Sequence, residues 1–234
     1  MIAELKIAYE GEEAKRAVHY FVGTSVLAVA FKDVHNACAA VKEEEVDYAV
    51  LPIETSKMGS IYVNYDLLLN YNLHIIGEYD QQEILTPEQK TNSSSYTRFL
   101  LLSKKLNLAW DIKLTGVVFK TSFVFGFKNS TNNGMLSRVL AVFSQQDVDL
   151  IKIESRPWNH QASISHEYPE MRTNKYQYLF IADVLGHLTD AKVSAAIRRL
   201  NELCAFVRIL GSYAILWSGE VITEKSCRAS IVEY

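Results

Sequence analysis

The sequence predicts an α/β protein in two parts. An alternating strand–helix domain covers residues 1–103, and past a connector at 104–114 a ferredoxin-like βαββαβ domain covers 115–213, with 214–234 as a tail. Three observations predict it. The first hundred or so residues alternate short β-branched runs with stretches whose apolar residues recur at helical spacing, the pattern of a sheet with helices on its faces. From Phe119 onward a strand–helix–strand pattern occurs twice in succession, which is the split ferredoxin-like plan. Finally, 49% of the 234 residues are hydrophobic, enough for each of two modest domains to bury a core.

In chain order, Lys6–Gly11 (KIAYEG) reads as a strand and Glu12–Tyr20 as a helix with Ala14, Ala17, Val18 and Phe21 on one side. Ser25–Phe31 is a second strand. Val34, Ala37, Cys38 and Val41 mark a helix that runs into the acidic triplet Glu43, Glu44 and Glu45, a solvated face rather than a metal site. Val46–Ile53 (VDYAVLPI) is a strand, Tyr62–Leu69 a helix and His74–Gly77 a strand. From Tyr79 to Ser95 the sequence is polar and reads as loop. Tyr96–Leu102 (YTRFLLL) is again a strand, so residues 5–9, 46–52 and 96–102 are expected to share one sheet.

In the second half, Phe119, Thr121, Phe123, Phe125 and Phe127 fall on one face of an extended segment by period two. The turn NSTNNG follows, made of residues that tolerate tight or left-handed backbone. Leu136, Val139, Leu140 and Phe143 then form a helical stripe. Leu150, Lys152, Glu154 and Arg156 alternate with Ile151, Ile153 and Ser155 in a half-buried strand, which Pro157 ends by removing a backbone donor. Tyr176–Val184 is the next strand. Thr189 and Asp190 are placed to cap a helix bearing Val193, Ile197, Leu200 and Cys204, and Phe206–Tyr213 (FVRILGSY) closes the unit. A glycine turn that opens a helix, here at Gly134, presents unpaired N–H groups and the positive end of the helix dipole, a ready site for a carboxylate.

The net charge of −3, without long basic or acidic blocks, argues against nucleic acid and membrane surfaces as partners. No apolar run approaches the ~20 residues of a membrane span. Cys38, Cys204 and Cys227 are far apart, without metal-ligand spacing, and read as reduced structural thiols. His74 reads as a structural histidine, His160 and His166 lack metal-ligand spacing, and Tyr62, Tyr65 and Tyr71 read as packing residues. No metal or cofactor site is found.

Several of these segments carry a resemblance. KTS at Lys120–Ser122, the Gly134-Met135-Leu136 turn into a helix, IESRP at Ile153–Pro157 and RILGSY at Arg208–Tyr213 resemble the ACT regulatory domain of prephenate and arogenate dehydratases. That resemblance implies phenylalanine as ligand, held by Asn132, Asn133, Gly134, Met135 and Leu136 together with Glu154, Ser155, Arg156 and Pro157. It also implies a homodimer or higher oligomer through the ACT domain, with family paralogues as further partners. AVLPIETSKMGSIYVNYDLLLNYNLHIIGE, beginning at Ala49, resembles the catalytic module, closest in wording to the plant arogenate enzymes, and Thr97-Arg98-Phe99 is similar to the family's catalytic T-R-F. The implied fold is one lobe of a two-lobed, periplasmic-binding-protein-like module. Its implied catalytic set is Thr97 with Arg98 and Phe99, joined by Glu54, Thr55 and Ser56. In the family the threonine helps hydroxide depart while the ring loses its carboxylate and becomes aromatic. That demands a placed proton donor and held carboxylates, and no cofactor.

The sequence departs from the family pattern in three places. The Gly/Ser/Thr-rich loop after the first strand is missing, because Gly11 runs straight into Glu12 and Glu13. The E-N-S triplet is Glu54-Thr55-Ser56, a hydroxyl in place of an amide. The second lobe is absent, with only Tyr79–Ser95 in its place, and the asparagine expected two residues before the threonine is Ser95. With one wall of the cleft gone, Thr97 should be an exposed hydroxyl. Losing positioning and preorganised donors costs on the order of 7 kcal/mol or more in the transition state, enough to abolish useful turnover. Two functions follow: a dehydratase of phenylalanine biosynthesis with an inhibitor-sensing ACT domain, or a non-catalytic phenylalanine-sensing module. Leu5–Tyr9 reads as core strand and leaves no room for a targeting segment, so a soluble intracellular location is expected, cytoplasmic, or plastid stroma for a mature or partial plant form.

Overall fold

The computed structural model describes residues 5–23, 26–82, 95–106, 118–127, 134–157 and 178–215, which fall into two compact units. The connector from 107 to 114, Asn129–Asn133 of the NSTNNG turn, His160, His166, Cys227 and the tail from 216 lie outside the described residues.

The first unit runs β1 (Lys6–Tyr9), α1 (Gly11–Val22), β2 (Leu27–Ala30), α2 (Val34–Lys42), β3 (Tyr48–Thr55), β4 (Gly59–Ser60), α3 (Tyr62–Tyr71), β5 (His74–Gln82) and β6 (Tyr96–Ser103). The sheet order is β2-β1-β3-β6-β5, with β4 folded back on the end of β3. β1 is parallel to β2 and β3, whereas β6 is antiparallel to β3 and β5, so residues 5–9, 46–52 and 96–102 meet in one sheet. Helix α1 buries Ala14, Ala17, Val18 and Phe21 against Ile7, Val50, Ile76, Phe99 and Leu101. Helix α2 is capped by the Asp33 carboxylate, which accepts from the Asn36 N–H at 2.8 Å, and its inner face holds Ala37, Cys38 and Val41.

Strand β5 corrects the sequence reading, which placed loop from Tyr79. The strand continues to Gln82 because Tyr79, Asp80, Gln81 and Gln82 pair in register with Phe99, Arg98, Thr97 and Tyr96. Tyr79 is anchored by stacking on Tyr20, with ring centroids 3.7 Å apart. The polar run misled because β5 is an edge strand, whose residues hide less apolar surface than those of a central one.

The second unit runs β7 (Phe119–Gly126), α4 (Met135–Gln145), β8 (Leu150–Pro157), β9 (Tyr178–Leu185), α5 (Ala191–Leu203) and β10 (Phe206–Ala214). Its sheet is antiparallel throughout in the order β10-β7-β9-β8. Phe123 and Phe125 of β7, with Ala182 and Val184 of β9, pack against Val139, Val142 and Phe143 of α4 and Val193, Ile197 and Leu200 of α5. Both helices therefore cover one face. The α4 stripe is rotated from its expected position: Val142 is buried, while Leu136 and Leu140 remain 36% and 38% exposed. A register shift between Leu150 and Lys152 has a related effect on β8. Leu150 packs on the core, but Lys152, Glu154 and Arg156 turn to the opposite sheet face, and Ile151 and Ile153 stay exposed.

The KTS and GSY segments are cross-strand partners, and their alternation serves both faces. On the helix side, Thr121 Oγ1 donates to the Gly186 carbonyl at 2.8 Å and accepts from Ser212 Oγ at 3.0 Å; Ser212 Oγ accepts in turn from the Leu188 N–H. On the other side, Ser122 Oγ donates to Asp183 Oδ1 at 2.6 Å and accepts from the Tyr213 hydroxyl at 2.8 Å, with Lys120 Nζ 3.8 Å from Asp183 Oδ2. All four of these side chains are buried. Cys38 and Cys204 are free and buried, and desolvation pushes each thiol up to about 12. Among the described residues no helix is long and apolar enough to cross a membrane.

The placement of α4 predicts unequal costs for two neighbouring truncations. Val142→Ala should destabilise the protein by about 2 kcal/mol, because it opens a void under a buried side chain. Leu140→Ala should cost less than about 0.5 kcal/mol in the monomer. Urea denaturation of the two variants measures the difference, and a stripe centred on Leu140 would give the opposite order.

Candidate functional site

The carboxyl-terminal ends of the parallel strands are where open α/β sheets place ligands. Here that end is formed by Tyr9 of β1, Thr55 of β3, and the paired ends of β5 and β6. A cavity of about 310 Å³ opens there, lined by Glu54, Thr55, Ser56, Asp80, Tyr96 and Arg98. The register explains the grouping: Arg98 lies opposite Glu54 on β3 and opposite Asp80 on β5. Its guanidinium is held between carboxylates, with Nη1 3.3 Å from Glu54 Oε2 and Nε 3.6 Å from Glu78 Oε2.

The hydroxyls of the E-T-S triplet are engaged by the backbone. Thr55 Oγ1 accepts from the Met58 N–H at 3.0 Å and closes the turn into β4. Ser56 Oγ accepts from the Tyr96 N–H at 2.9 Å, lies 3.4 Å from Ser95 Oγ, and so pins the start of β6 to the end of β3. Thr97 is not the exposed hydroxyl expected from sequence. It is only 5% exposed, because β6 lies between β3 and β5 rather than at an edge. Strand alternation places it with Phe99 and Leu101 on the α1 side, opposite Arg98, and it does not line the cavity. Phe99 is core.

Sequence reasoning missed Glu78 and Asp80. Their signal was the period-two spacing within GEYDQQ, which only acquires meaning once β5 is seen to pair with β6. Glu54, Glu78 and Asp80 surround a single Arg98, so the cavity is formally negative. The start of α1 repeats that sign. Gly11, at φ +78°, turns the chain two residues after β1 ends, and Glu12 and Glu13 occupy the first helical turn with Glu10 before them. Their carboxylates sit at the positive end of the helix dipole.

The second unit has a helix start of the opposite character. Gly134, at φ +76°, opens α4, and no described residue lies within 4 Å of the position a Cβ would take. The first turn of α4 carries no acidic residue, and Met135 and Leu136 provide apolar surface beside it. In the adjoining strand Arg156 is buried, Glu154 is half-buried beside Lys152 at 3.3 Å, and Ser155 and Pro157 are exposed. Asn132 and Asn133 lie outside the described residues.

A sequence profile described as prephenate dehydratase matches residues 7–86. Arogenate dehydratase/prephenate dehydratase 2 of Arabidopsis thaliana, described as chloroplastic, is 28% identical over 80% of this chain, which spans 66% of that relative's length. Arogenate dehydratase 2 of Petunia hybrida is 27% identical over 90% of this chain and 72% of its own. The prephenate dehydratase of Streptococcus mutans superposes with a TM-score of 0.65 at 25% identity, covering 90% of this chain and 98% of that one. Residues 7–86 thus match the prephenate dehydratase family, and the chain as a whole is similar to prephenate and arogenate dehydratases. The fold also matches that of the Arthrobacter aurescens prephenate dehydratase solved with L-Phe, at a TM-score of 0.68 and 20% identity over 90% of each chain. The Petunia alignment runs over 293 positions against a chain of 234 residues, so part of that dehydratase has no counterpart here.

Within the first unit Arg98 is a structural hub. Arg98→Met should cost about 3–5 kcal/mol in urea denaturation, since it removes the guanidinium that stands beside the buried Glu78 carboxylate. Adding Glu78→Leu should recover a large part of that loss. A double variant no more stable than Arg98→Met would show that the carboxylate is not the source of the cost.

Proposed function

We propose that the chain is a phenylalanine-binding member of the dehydratase family of phenylalanine biosynthesis that turns over little or no substrate. Residues 1–103 are read as one lobe of the catalytic module and 115–213 as an ACT domain. The observation that carries the proposal is the contrast between two helix starts. Gly11 and Gly134 turn the chain alike, but Glu12 and Glu13 fill the first turn of α1, whereas α4 starts without an acid. A carboxylate is repelled at the first and met by free N–H groups and a positive dipole at the second.

Decarboxylating dehydration of prephenate or arogenate needs a site that holds carboxylates. The cavity around Arg98 offers one cation already paired with Glu54 and Glu78. The unmatched positions in the Petunia alignment support a missing second lobe. A cleft with one wall loses the positioning and water exclusion on which such chemistry depends. Purified protein incubated with prephenate and with arogenate should therefore yield no measurable phenylpyruvate or phenylalanine. Turnover that vanishes in Thr97→Val would establish the enzymatic reading instead.

Phenylalanine is read as binding where the Gly134 turn meets the Glu154–Pro157 end of β8. The N–H groups at the start of α4 receive its carboxylate, Asn132 and Asn133 side chains or nearby carbonyls accept from its ammonium, and Met135 and Leu136 flank its ring. Burying the ring contributes roughly 1.5–3 kcal/mol. Among the described strands β8 is an edge of its sheet, with Ile151 and Ile153 exposed on it, and Leu136 and Leu140 are exposed on α4. An apolar edge of this kind favours a second copy, or a family paralogue, as neighbour. Binding between two copies tightens the dimer by linkage. The relative described as chloroplastic supports the plastid stroma as the compartment.

Calorimetry should register heat with phenylalanine at millimolar ligand. Gly134→Val, which strains a left-handed turn by about 1–3 kcal/mol and fills the approach, should abolish it. Light scattering at micromolar concentration should show a dimer or larger. Absent heat, or unchanged binding in Gly134→Val, defeats the ligand site, and a strict monomer defeats the edge as an interface.

A further inference from the structure

We propose that His187 is a proton-sensitive latch on the turn between β9 and α5, and that protonating it loosens the attachment of α5 to the sheet. The imidazole is 2% exposed and stands edge-on to Phe119, with centroids 5.1 Å apart. Nδ1 accepts from the Thr189 backbone N–H at 3.2 Å and lies 2.7 Å from Thr189 Oγ1. The His187 backbone N–H donates to Asp190 Oδ2 at 2.7 Å, which fixes the start of α5. Nε2 has no hydrogen-bond partner among the described residues.

This pattern sets the protonation state. A neutral ring with its proton on Nε2 leaves the Nδ1 lone pair for the Thr189 N–H. A second proton on Nδ1 takes that acceptor away. The new N–H can turn to Thr189 Oγ1, but the Thr189 backbone donor at the helix start is then orphaned, and Nε2–H still meets no acceptor. The ring would hold a full charge in a buried site at the positive end of α5.

Among the described residues the ring stands against Phe119 of β7, and the turn that carries it is held by the uncharged Thr121 of β7 and Ser212 of β10. The charged group that acts on the ring is the Asp190 carboxylate at the cap of α5. Lys192 is turned outward to Asp147 on the surface. Burial accordingly lowers the His187 titration below its ordinary value, against a smaller opposing pull from Asp190. The turn is also where Thr121 and Ser212 bind, through the Gly186 carbonyl and the Leu188 N–H. A change at His187 thus reaches the β7–β10 pair as well as α5.

Linkage gives the sign. A histidine held neutral in the fold takes up more protons when unfolded, so stability rises with pH through its titration. Above the ordinary histidine range His187 contributes no slope. As pH falls through that range toward the lower folded value, stability is lost, by up to about tenfold in the unfolding constant per pH unit.

The test is urea denaturation of the full chain between pH 8 and pH 5, beside His187→Asn, whose side-chain oxygen stands in for Nδ1 without titrating. The parent's unfolding constant should rise as pH falls below 7, and H187N should lose up to tenfold per unit of that rise. Equal slopes in the two proteins overturn the proposal. Proton NMR of the parent gives an independent measure, with the His187 ring identified by its contact with Phe119. A midpoint clearly below the ordinary histidine value supports the latch. A midpoint at or above it overturns the proposal, whether or not H187N folds.

Discussion

Strand β7 is hydrogen-bonded along both edges, to β10 and to β9, and its strict alternation organises the whole second unit. One set of side chains, Phe123 and Phe125, belongs to the core beneath the helices. The other, Lys120 and Ser122, belongs to the buried polar cluster with Asp183 and Tyr213. A slip of one residue would exchange the two sets, pressing an ammonium into the aromatic core and leaving phenylalanine rings against Asp183. Register is therefore fixed from both faces at once. Thr121 adds a third constraint, since it ties β7 to the turn that starts α5.

Electrostatics divide the two units more sharply than topology does. Both contain a helix opened by a left-handed glycine. In the first unit, Glu12 and Glu13 occupy that helix start, and elsewhere in its sheet Arg98 is held by Glu54 and Glu78. In the second, the first turn of α4 carries no carboxylate. The carboxylates that hold Arg98 in the first unit are thus also the ones that neutralise it.

Much of this was legible in the chain itself. Period-two phenylalanines marked β7, and the stripe of Val193, Ile197, Leu200 and Cys204 marked the buried face of α5, because both arise from local geometry. The end of β5 was not, since Tyr79–Gln82 are polar and become strand only through pairing with β6. The rotation of α4 escaped because Leu136 and Leu140 fit a helical stripe as well as Val142 does. Only the tertiary partners choose between them. The exposure expected for Thr97 failed for a similar reason. Burial depends on how many strands flank a residue, and the sequence does not state strand order. The motifs KTS and GSY were visible as words, but their meeting as neighbours on adjacent strands, and the His187 turn they hold, required the fold.

The two buried cysteines have a practical consequence. Cys38 lies in the inner face of α2 and Cys204 at the end of α5, so each unit contains its own thiol. With titration pushed up to about 12, thiolate is present at roughly one part in ten thousand at pH 8, and both side chains are buried. Alkylation at either position must wait for that unit to open. The chain thus carries two internal clocks for local unfolding, read separately by peptide mapping after timed exposure to a thiol reagent, without any introduced label.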